Sequence, residues 1–312
     1  MPVARCCNYS IVPKLRLPYI ILFLTLTLFS SQNQSAVTVT DDMDNAITAD
    51  NPVRRIVSLA PHTTELLFAA GAGNSVVGAV RYSNYPKAAQ KITRVGDTHN
   101  LDLEKIVSLE PDLVIAWQSG NGGSIIKNLQ DLGYKVYISE PVDIENIAKT
   151  ILDLGKITGH TQTASIVTSS FINELHALEE KYAGRIPVDT FYQIWNQPLF
   201  TVNGRHLISE VIRLCGGRNI FSHLPTLSPR VSIEAVLKAD PDVIIASGAD
   251  ANRPPWLQEW NHWPSLKAVK NRHIYFIPPD LIQRHTPRIL QGARMMCQFI
   301  DNARKSTAHQ QN

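Results

Sequence analysis

LDLEKIVSLEPDLVIAW, residues 101–117, joins a helical segment to an apolar strand through a Pro-Asp turn. The same unit returns as VSIEAVLKADPDVIIAS at residues 231–247, aligned without gaps. Further along each half, YKVYIS at 134–139 matches HIYFIP at 273–278 in the same relative order. Several elements repeated in one order indicate that the chain contains two copies of one lobe.

Around the repeat, short apolar runs alternate with helical segments. In the first half these runs fall at 55–59, 76–80, 113–117 and 135–139, and they are almost continuously apolar. Such runs are typical of parallel strands that are buried on both faces and joined by helices. The predicted fold class is therefore α/β, with two lobes that each have a central, mostly parallel sheet flanked by helices.

A long segment at 161–184 separates the two halves and contains no proline, and its first glycine is Gly184. Apolar side chains recur there at mostly helical spacing, as at Phe171 and Leu175. A helix over 161–182 would be about 33 Å long, because each residue adds 1.5 Å. We therefore predict that a single long rigid helix joins the lobes. The predicted bounds are an N-terminal lobe at 53–160, the connecting helix at 161–184, a C-terminal lobe at 185–305 and a tail at 306–312.

The N-terminus has a different composition. Arg5, Lys14 and Arg16 precede an apolar stretch at 19–29. A positive flank before a short apolar core is the pattern of a secretory signal peptide, and a membrane span needs about 20 residues. We predict a signal peptide or N-terminal anchor at 1–30, and hence a periplasmic protein that stays tethered to the membrane if the leader is not cleaved. The polar residues that follow, 31–52, predict a flexible tether.

Four cysteines occur in the chain, and two of them, Cys6 and Cys7, precede the apolar stretch. Cys215 and Cys297 remain in the body. Two cysteines in an exported body favour one disulfide, and the alternative is a pair of buried free thiols.

Composition excludes several functions. The formal net charge is +3, and no dense run of lysine and arginine occurs in the body, which argues against a nucleic-acid partner. The chain contains no G-x-S-x-G, H-E-x-x-H or P-loop motif. Export, duplicated lobes and the lack of such motifs favour a binding protein over an enzyme, with no cofactor of its own. An exported α/β enzyme with an unfamiliar site is the less favoured alternative.

Five motifs then carry a resemblance to a known family. They are SLAPHTTE at 58–65, YSNYP at 82–86, LEKI running into EPDLVIAW within 103–117, LCGG at 214–217 and TPRI at 286–289. In their order and spacing they resemble the helical-backbone (class III) solute-binding proteins of ABC importers, in particular the cobalamin-binding subgroup. The resemblance covers nearly the whole body. It implies a corrinoid held between the lobes as transported ligand and a permease dimer in the inner membrane as partner.

The resemblance also implies ligand-facing residues. By motif, Tyr82 and Trp117 match the aromatic side chains of the subgroup that face the ligand, and aromatic faces suit a flat macrocycle. Trp117 and Trp195 also come at the ends of predicted strands, where ligands of parallel sheets bind. The complete predicted ligand-binding set is Tyr82, Trp117, Trp195, Pro61, His62, Asp280, Arg284 and His285, in which the last three match a polar edge.

Ligand identity stays open between several classes. Thr98, Ser228 and Leu281 stand where aromatic residues are expected from the resemblance, so haem or a siderophore could fill the cleft instead of a corrinoid. A metal-ion carrier is a further alternative, because four histidines fall in predicted strand-end loops: His62, His99, His206 and His285. A zinc site needs three or four converging ligands, and we predict no metal site.

Glu104 and Glu234 occupy the fourth position of the repeated unit. The resemblance implies that the equivalent glutamates meet arginines on the two membrane subunits of the importer. A matched pair suits a two-fold partner, so we predict that these residues dock the protein on the permease. An acid in the first turn of a helix is also favourable without any partner, which is the alternative explanation.

Overall fold

A computed structural model describes residues 36–249 and 251–310. The predicted signal peptide or anchor at 1–30 lies outside the described residues. Within them, no helix is both long enough and apolar enough to cross a membrane. The described part contains one hairpin and two parallel sheets, and helices are packed around both sheets.

A β-hairpin opens the described chain. Strands β1 (Val37–Thr40) and β2 (Ala46–Ala49) pair antiparallel, and they bury Val39 and Ile47 in the core. The predicted tether at 31–52 is therefore wrong over these residues. The reason is that each strand has only four residues, VTVT and AITA, which is too short a pattern to stand out among the surrounding polar residues.

Two aspartates fix the turn of this hairpin to the first lobe. The Asp41 carboxylate accepts a hydrogen bond from the backbone N–H of Ile138 at 3.0 Å, and that of Asp42 accepts from the N–H of Glu140 at 2.7 Å. Burial raises the pKa of Asp42, with the Glu140 bond acting in the opposite direction. The hairpin is thus part of the lobe.

The first lobe has a five-stranded sheet. Its strands are β3 (Ile56–Ser58), β4 (Val76–Ala79), β5 (Thr93–Arg94), β6 (Leu113–Trp117) and β7 (Val136–Ser139). They lie in the order β5-β4-β3-β6-β7, and every pair is parallel. Its helices are α1 (Pro61–Ala69), α2 (Leu103–Ser108), α3 (Gln118–Asn121), α4 (Gly123–Asp131) and α5 (Ile144–Thr158), with 3₁₀ turns at Gly73–Ser75 and Lys87–Lys91.

Helix α6 (Thr161–Tyr182) leads from this lobe to the next and has 22 residues. It buries Ala164, Phe171 and Leu175 among other residues on one face, whereas Ile166 on the other face is exposed. The same continuous core contains residues of both sheets and of α6. The helix is therefore packed along its length against the body.

The second lobe has a four-stranded parallel sheet in the order β11-β10-β8-β9. Its strands are β8 (Val188–Gln193), β9 (Gly217–Asn219), β10 (Val243–Ala246) and β11 (Ile274–Phe276). Its helices are α7 (Leu207–Leu214), α8 (Ile233–Ala239), α9 (Lys267–Lys270), α10 (Pro279–Ile282) and α11 (Ile289–Gln310), with a 3₁₀ segment at Pro255–His262. Because α11 continues to Gln310, the predicted start of a tail at 306 is wrong. The α/β fold class with two parallel sheets is confirmed.

The repeated unit has the same hydrogen bonds in both lobes. The Asp112 carboxylate accepts from the backbone N–H of Arg55 at 2.9 Å, and the equivalent Asp242 accepts from the N–H of Asp189 at 3.0 Å. Each aspartate thus ties the start of one strand to the start of its neighbour. Just before the turns, Glu110 and Asp240 share a left-handed backbone, with φ of 44° and 46°. The two halves therefore match in backbone conformation as well as in sequence.

The predicted disulfide is confirmed. Cys215 at the end of α7 is bonded to Cys297 in α11, across a sequence separation of 82 residues. Both residues are fully buried. The bond fixes the last helix to the second lobe.

Loss of this bond should lower the stability of the protein. A chain-entropy model gives about 4.5 kcal/mol for a loop of this length, and removal of a native disulfide typically costs about 2–5 kcal/mol. We expect the Cys215→Ala/Cys297→Ala variant to unfold at lower urea concentration by a corresponding free energy. Dithiothreitol should shift the wild-type transition in the same direction and leave the variant unchanged. Equal transitions for oxidised and reduced wild type would contradict this expectation.

Candidate functional site

The two sheets direct the carboxyl ends of their strands toward one cavity of about 300 Å³. Both lobes contribute to its wall. The first lobe provides Trp117, Ser119, Glu140, Pro141 and Val142, and the second provides Arg205, His206, Leu207, Leu227, Ser228 and His285. Apolar and polar side chains are therefore mixed on both sides of the cavity.

Trp117 is held at the end of β6 by a network behind it. Its backbone N–H donates to the Asn121 amide oxygen at 2.6 Å, and the Asn121 amide group donates to the carbonyls of Leu59 and Thr98, each at 2.9 Å. Gly120 lies against the indole, where a Cβ atom would come within 1.9 Å of the ring. The indole Nε1 is buried and has no hydrogen-bond partner. The ring is thus fixed in place and retains an unused donor.

Two histidines meet where the lobes face each other. His62 in α1 and His285 between α10 and α11 have ring centroids 5.6 Å apart, edge to face, and His62 makes the same type of contact with Trp117 at 5.2 Å. Burial, followed by the charges of His285 and Arg284, holds the pKa of His62 well below its usual value. Burial, with a contribution from His206, lowers the pKa of His285 to about 4. Both rings are therefore neutral at pH 7.

Arg284 crosses from the second lobe to the first. It pairs with Asp280 at 2.9 Å and donates to the Asn84 side chain at 2.8 Å and the Tyr82 carbonyl at 3.2 Å. Tyr82 has a φ of 66°, which a bulky residue rarely adopts, and its side chain is 68% exposed. Strained backbone of this kind is concentrated at functional sites, and here it presents an aromatic ring outward beside an inter-lobe contact.

A buried ion pair also joins the lobes. Glu65 in α1 accepts two hydrogen bonds from Arg288, at 2.7 and 2.6 Å. The Glu65 side chain is 3% exposed and that of Arg288 13%. The guanidinium lies 3.9 Å from the centroid of the Tyr85 ring. Glu210 in α7 makes a further inter-lobe contact, since it accepts from the first N–H of α5, that of Ile144, at 3.1 Å. The lobes are therefore linked at several points besides α6.

Two further predicted ligand residues, Pro61 and Trp195, do not line the cavity. Pro61 is the first residue of α1, next to His62, and is half-buried. Trp195 follows β8 and is 42% exposed, but it does not line the cavity, and its indole donates to the Gln197 carbonyl. Its role as a ligand residue stays a prediction. Trp260 lies in the 3₁₀ segment and is buried in a core cluster.

The histidines do not form a metal site of their own. Among the residues that the structure describes, no three histidine, cysteine, aspartate or glutamate side chains are arranged to hold a metal ion. His206 uses its Nδ1 to accept from the backbone N–H of Ile208 at 3.1 Å, which caps α7. Burial lowers its pKa to about 4.

The predicted docking residues lie in equivalent places. Glu104 and Glu234 are each the second residue of a short helix, α2 or α8, and both are exposed. The helices are capped by Asp102 and Ser232. Because a crossover helix starts where the preceding strand ends, both glutamates belong to the same edge of the sheets as the cavity. Hydrogen bonds from its own N–H and from Ser232 lower the pKa of Glu234.

Comparison with known proteins agrees with this architecture. The family model described as periplasmic binding protein matches residues 56–281, most of both lobes. The chain belongs to the periplasmic binding protein family.

Similarity within this family is seen in both sequence and structure with Vibrio cholerae. The vitamin B12-binding protein of Vibrio cholerae serotype O1 is 37% identical over 255 residues, which cover 81% of this chain and 91% of that protein. The crystal structure of the periplasmic vitamin B12 binding protein BtuF of Vibrio cholerae superposes with a TM-score of 0.76 at 35% identity, over 81% of this chain and 99% of that one.

A haem-binding member of similar architecture is more distant in sequence. The periplasmic haem-binding protein BhuT in complex with two haems gives a TM-score of 0.71 at 21% identity, and the match covers 81% of this chain and all of that one. At this identity the likeness shows the fold alone. The relatives from Vibrio cholerae are binding proteins, which supports a non-enzymatic role at the level of the family.

Sequence reasoning missed several residues that build the cavity. Glu140 lies directly after β7, Asn121 ends the short helix α3 that follows β6, and Arg205 and Leu227 lie in loops of the second lobe. Their position after strand ends was a usable signal for the first two. Glu65 and Arg288 were inside quoted motifs, but their pairing depends on residues 223 positions apart.

The Glu65–Arg288 pair gives a test of the inter-lobe contact. Removing one partner of a buried pair leaves the other charge unpaired and costs about 3–5 kcal/mol, so Arg288→Ala should lower the free energy of unfolding by that amount. Arg218→Ala is a matched control, because Arg218 pairs with Asp189 in the same two-bond manner, at 2.5 and 2.7 Å, with its side chain 68% exposed. An exposed pair contributes about 0–1 kcal/mol. Urea denaturation measures both, and equal losses would contradict the importance of the inter-lobe pair.

Proposed function

We propose that this protein is the periplasmic substrate-binding component of an ABC importer. It binds a cobalamin-type corrinoid in the cleft between its lobes and delivers it to the membrane permease. The single observation that carries this proposal is the cavity at the carboxyl ends of both sheets, with Trp117 on one side and His285 on the other. The vitamin B12-binding relatives, matched over nine-tenths of their length, support the choice of ligand.

The wall of the cavity suits the two kinds of surface on a corrinoid. The faces and methyl groups of the macrocycle are apolar, and Trp117, Val142 and Leu227 offer apolar contact area. The amide arms at the rim of the macrocycle need hydrogen-bond partners. Glu140 and Arg205, which line the same cavity, carry an acceptor and donors for those arms.

Binding at this site requires that some of the hydrogen bonds between the lobes break. Arg284 donates two hydrogen bonds at the rim of the cavity, one to the Asn84 side chain and one to the Tyr82 carbonyl. A ligand with amide oxygens can accept those bonds in their place, and the side chain of Tyr82, whose carbonyl accepts one of them, is exposed. The Glu65–Arg288 pair and α6 meanwhile keep the lobes at a fixed distance behind the cleft. Recognition therefore uses local exchange of hydrogen bonds at the rim.

Delivery to the permease depends on the opposite charges of the two proteins. Glu104 and Glu234 extend from equivalent helices, one on each lobe, at the edge of the sheets that also faces the cavity. Two acids in equivalent places match a permease dimer with a two-fold axis, and exposed charges mainly set association rate and orientation. In this arrangement docking brings the mouth of the cleft toward the membrane.

Haem and siderophores are the alternative ligands of the same class, and a metal ion is less well supported because no three suitable side chains converge among the described residues. Titration calorimetry with cyanocobalamin, cobinamide, haem and a ferric siderophore separates these possibilities. Tight one-to-one binding of the two corrinoids alone supports the proposal. Binding of haem or the siderophore without the corrinoids would replace it.

Trp117 provides the direct test of the cleft. We expect Trp117→Ala to weaken cyanocobalamin binding by roughly 1–3 kcal/mol, as for the loss of a large aromatic contact. Trp263→Ala is a matched control, since Trp263 packs against a core cluster of the second lobe. It should leave affinity unchanged. If Trp117→Ala lowers only the melting temperature, Trp117 belongs to the core and not to the site.

The docking glutamates are tested by charge reversal. The Glu104→Lys/Glu234→Lys variant should slow association with the permease and abolish uptake, while corrinoid affinity in solution is unchanged. Glu179→Lys/Glu180→Lys places the same charge change on the exposed face of α6 and serves as the control. Surface plasmon resonance on reconstituted permease and uptake by cells measure the two effects. Normal uptake by the first variant, or loss of its corrinoid binding, would refute the docking assignment.

A further inference from the structure

His285 has an imidazole that is placed at the cavity but not committed to the protein. Its ring lines the cavity and packs edge to face against the ring of His62. Within the described part of the chain, no hydrogen bond ends on either ring nitrogen of His285. A neutral imidazole has one nitrogen with a free lone pair.

The two neighbouring histidines differ in this respect. His206 also lines the cavity, but its Nδ1 accepts from the N–H of Ile208, so its neutral form carries the hydrogen on Nε2. Its only lone pair is therefore in use. His62 is 4% exposed, and its Nε2 is buried without a hydrogen-bond partner. His285 is thus the histidine with a lone pair available at the cavity, and His62 lies behind it.

We infer that His285 is an axial ligand of the cobalt in the bound corrinoid, and that His62 is a positioning residue that holds the His285 ring. This inference rests on the proposed function and deepens it. The corrin ring supplies the equatorial nitrogens of the metal, so one protein side chain is sufficient. This agrees with the lack of a three-residue metal site among the described residues.

The step is a ligand exchange. When the cobalt carries a weakly bound water, the cobalt–oxygen bond breaks and the imidazole lone pair forms a cobalt–nitrogen bond. Water leaves, no electron is transferred, and a neutral imidazole that coordinates through its lone pair releases no proton. Corrinoids with an open axial position, such as aquocobinamide, are the class that gains from this bond. Dicyanocobinamide, with both axial positions blocked, does not gain.

Electron paramagnetic resonance on cob(II)inamide tests this bond directly. Cob(II)inamide has no nucleotide base, so a nitrogen on its axial position must come from the protein. We expect each cobalt hyperfine line to split into a triplet when the full-length wild-type protein binds it. Protein grown with ¹⁵N-histidine should give doublets instead, because the nuclear spin of nitrogen changes. This measurement does not depend on the folding of any variant.

Variants then assign the residue. His285→Ala should lose the splitting, and it should weaken the binding of aquocobinamide by a larger factor than that of dicyanocobinamide. His206→Asn is the matched control, because asparagine also caps helices, and it should keep the splitting. His62→Phe keeps an aromatic ring but removes the two ring nitrogens from its edge. It should reduce affinity for aquocobinamide relative to dicyanocobinamide by about tenfold, in the range found when the support of a metal ligand is lost.

The outcomes separate the two proposals. Tight binding of both cobinamides without nitrogen splitting overturns axial ligation and leaves the carrier function in place. Splitting that persists in His285→Ala also overturns the assignment. If neither cobinamide nor cyanocobalamin binds, the proposed function fails, and axial ligation fails with it.

Discussion

The buried pair of Glu65 and Arg288 sets the relation between the two lobes. Two short hydrogen bonds and a stacked Tyr85 ring hold the guanidinium in place. If the pair breaks, each charge is left unpaired in a low-dielectric environment, which is energetically unfavourable. The pair lies where α1 of one lobe meets the start of α11 of the other. Together with α6 and a shared apolar core, it limits how far the lobes can separate.

The cavity wall is also well supported by contacts within each lobe. Trp117 is tied through Asn121 to two further loops, and Glu140 accepts from the N–H of Ser119 while its own N–H donates to Asp42. His206 is fixed as a helix cap. A site held in this way loses little conformational freedom when a ligand enters, so more of the contact energy is available for binding. The indole N–H of Trp117 is buried at this wall and has no hydrogen-bond partner.

The sequence predicted the α/β class, the repeated unit and the disulfide, because these depend on local apolar patterns and on counting cysteines. It missed the hairpin of residues 37–49, where four-residue strands carry too little pattern to be distinguished from a polar linker. Glu65 and Arg288 lie within the motifs that indicate the family. Their pairing could not be predicted, because a local pattern contains no information on contacts between distant residues. For the same reason it grouped Trp195 with Trp117, although only Trp117 lines the cavity. Strand-end position predicts nearness to a cleft, whereas side-chain direction depends on the loops around it.

The hairpin has a practical consequence for work on the purified protein. A chain trimmed to begin at Val53, where the sequence pattern places the start of the lobe, would lack Asp41 and Asp42. Those two side chains receive the N–H groups of Ile138 and Glu140, at the end of the strand that enters the cavity wall. Trimming would leave the N–H groups of Ile138 and Glu140 unpaired and expose the core beneath Val39 and Ile47. Residues that are distant in sequence from the cleft thus help to shape it, so recombinant versions should retain the chain from Ala36 onward.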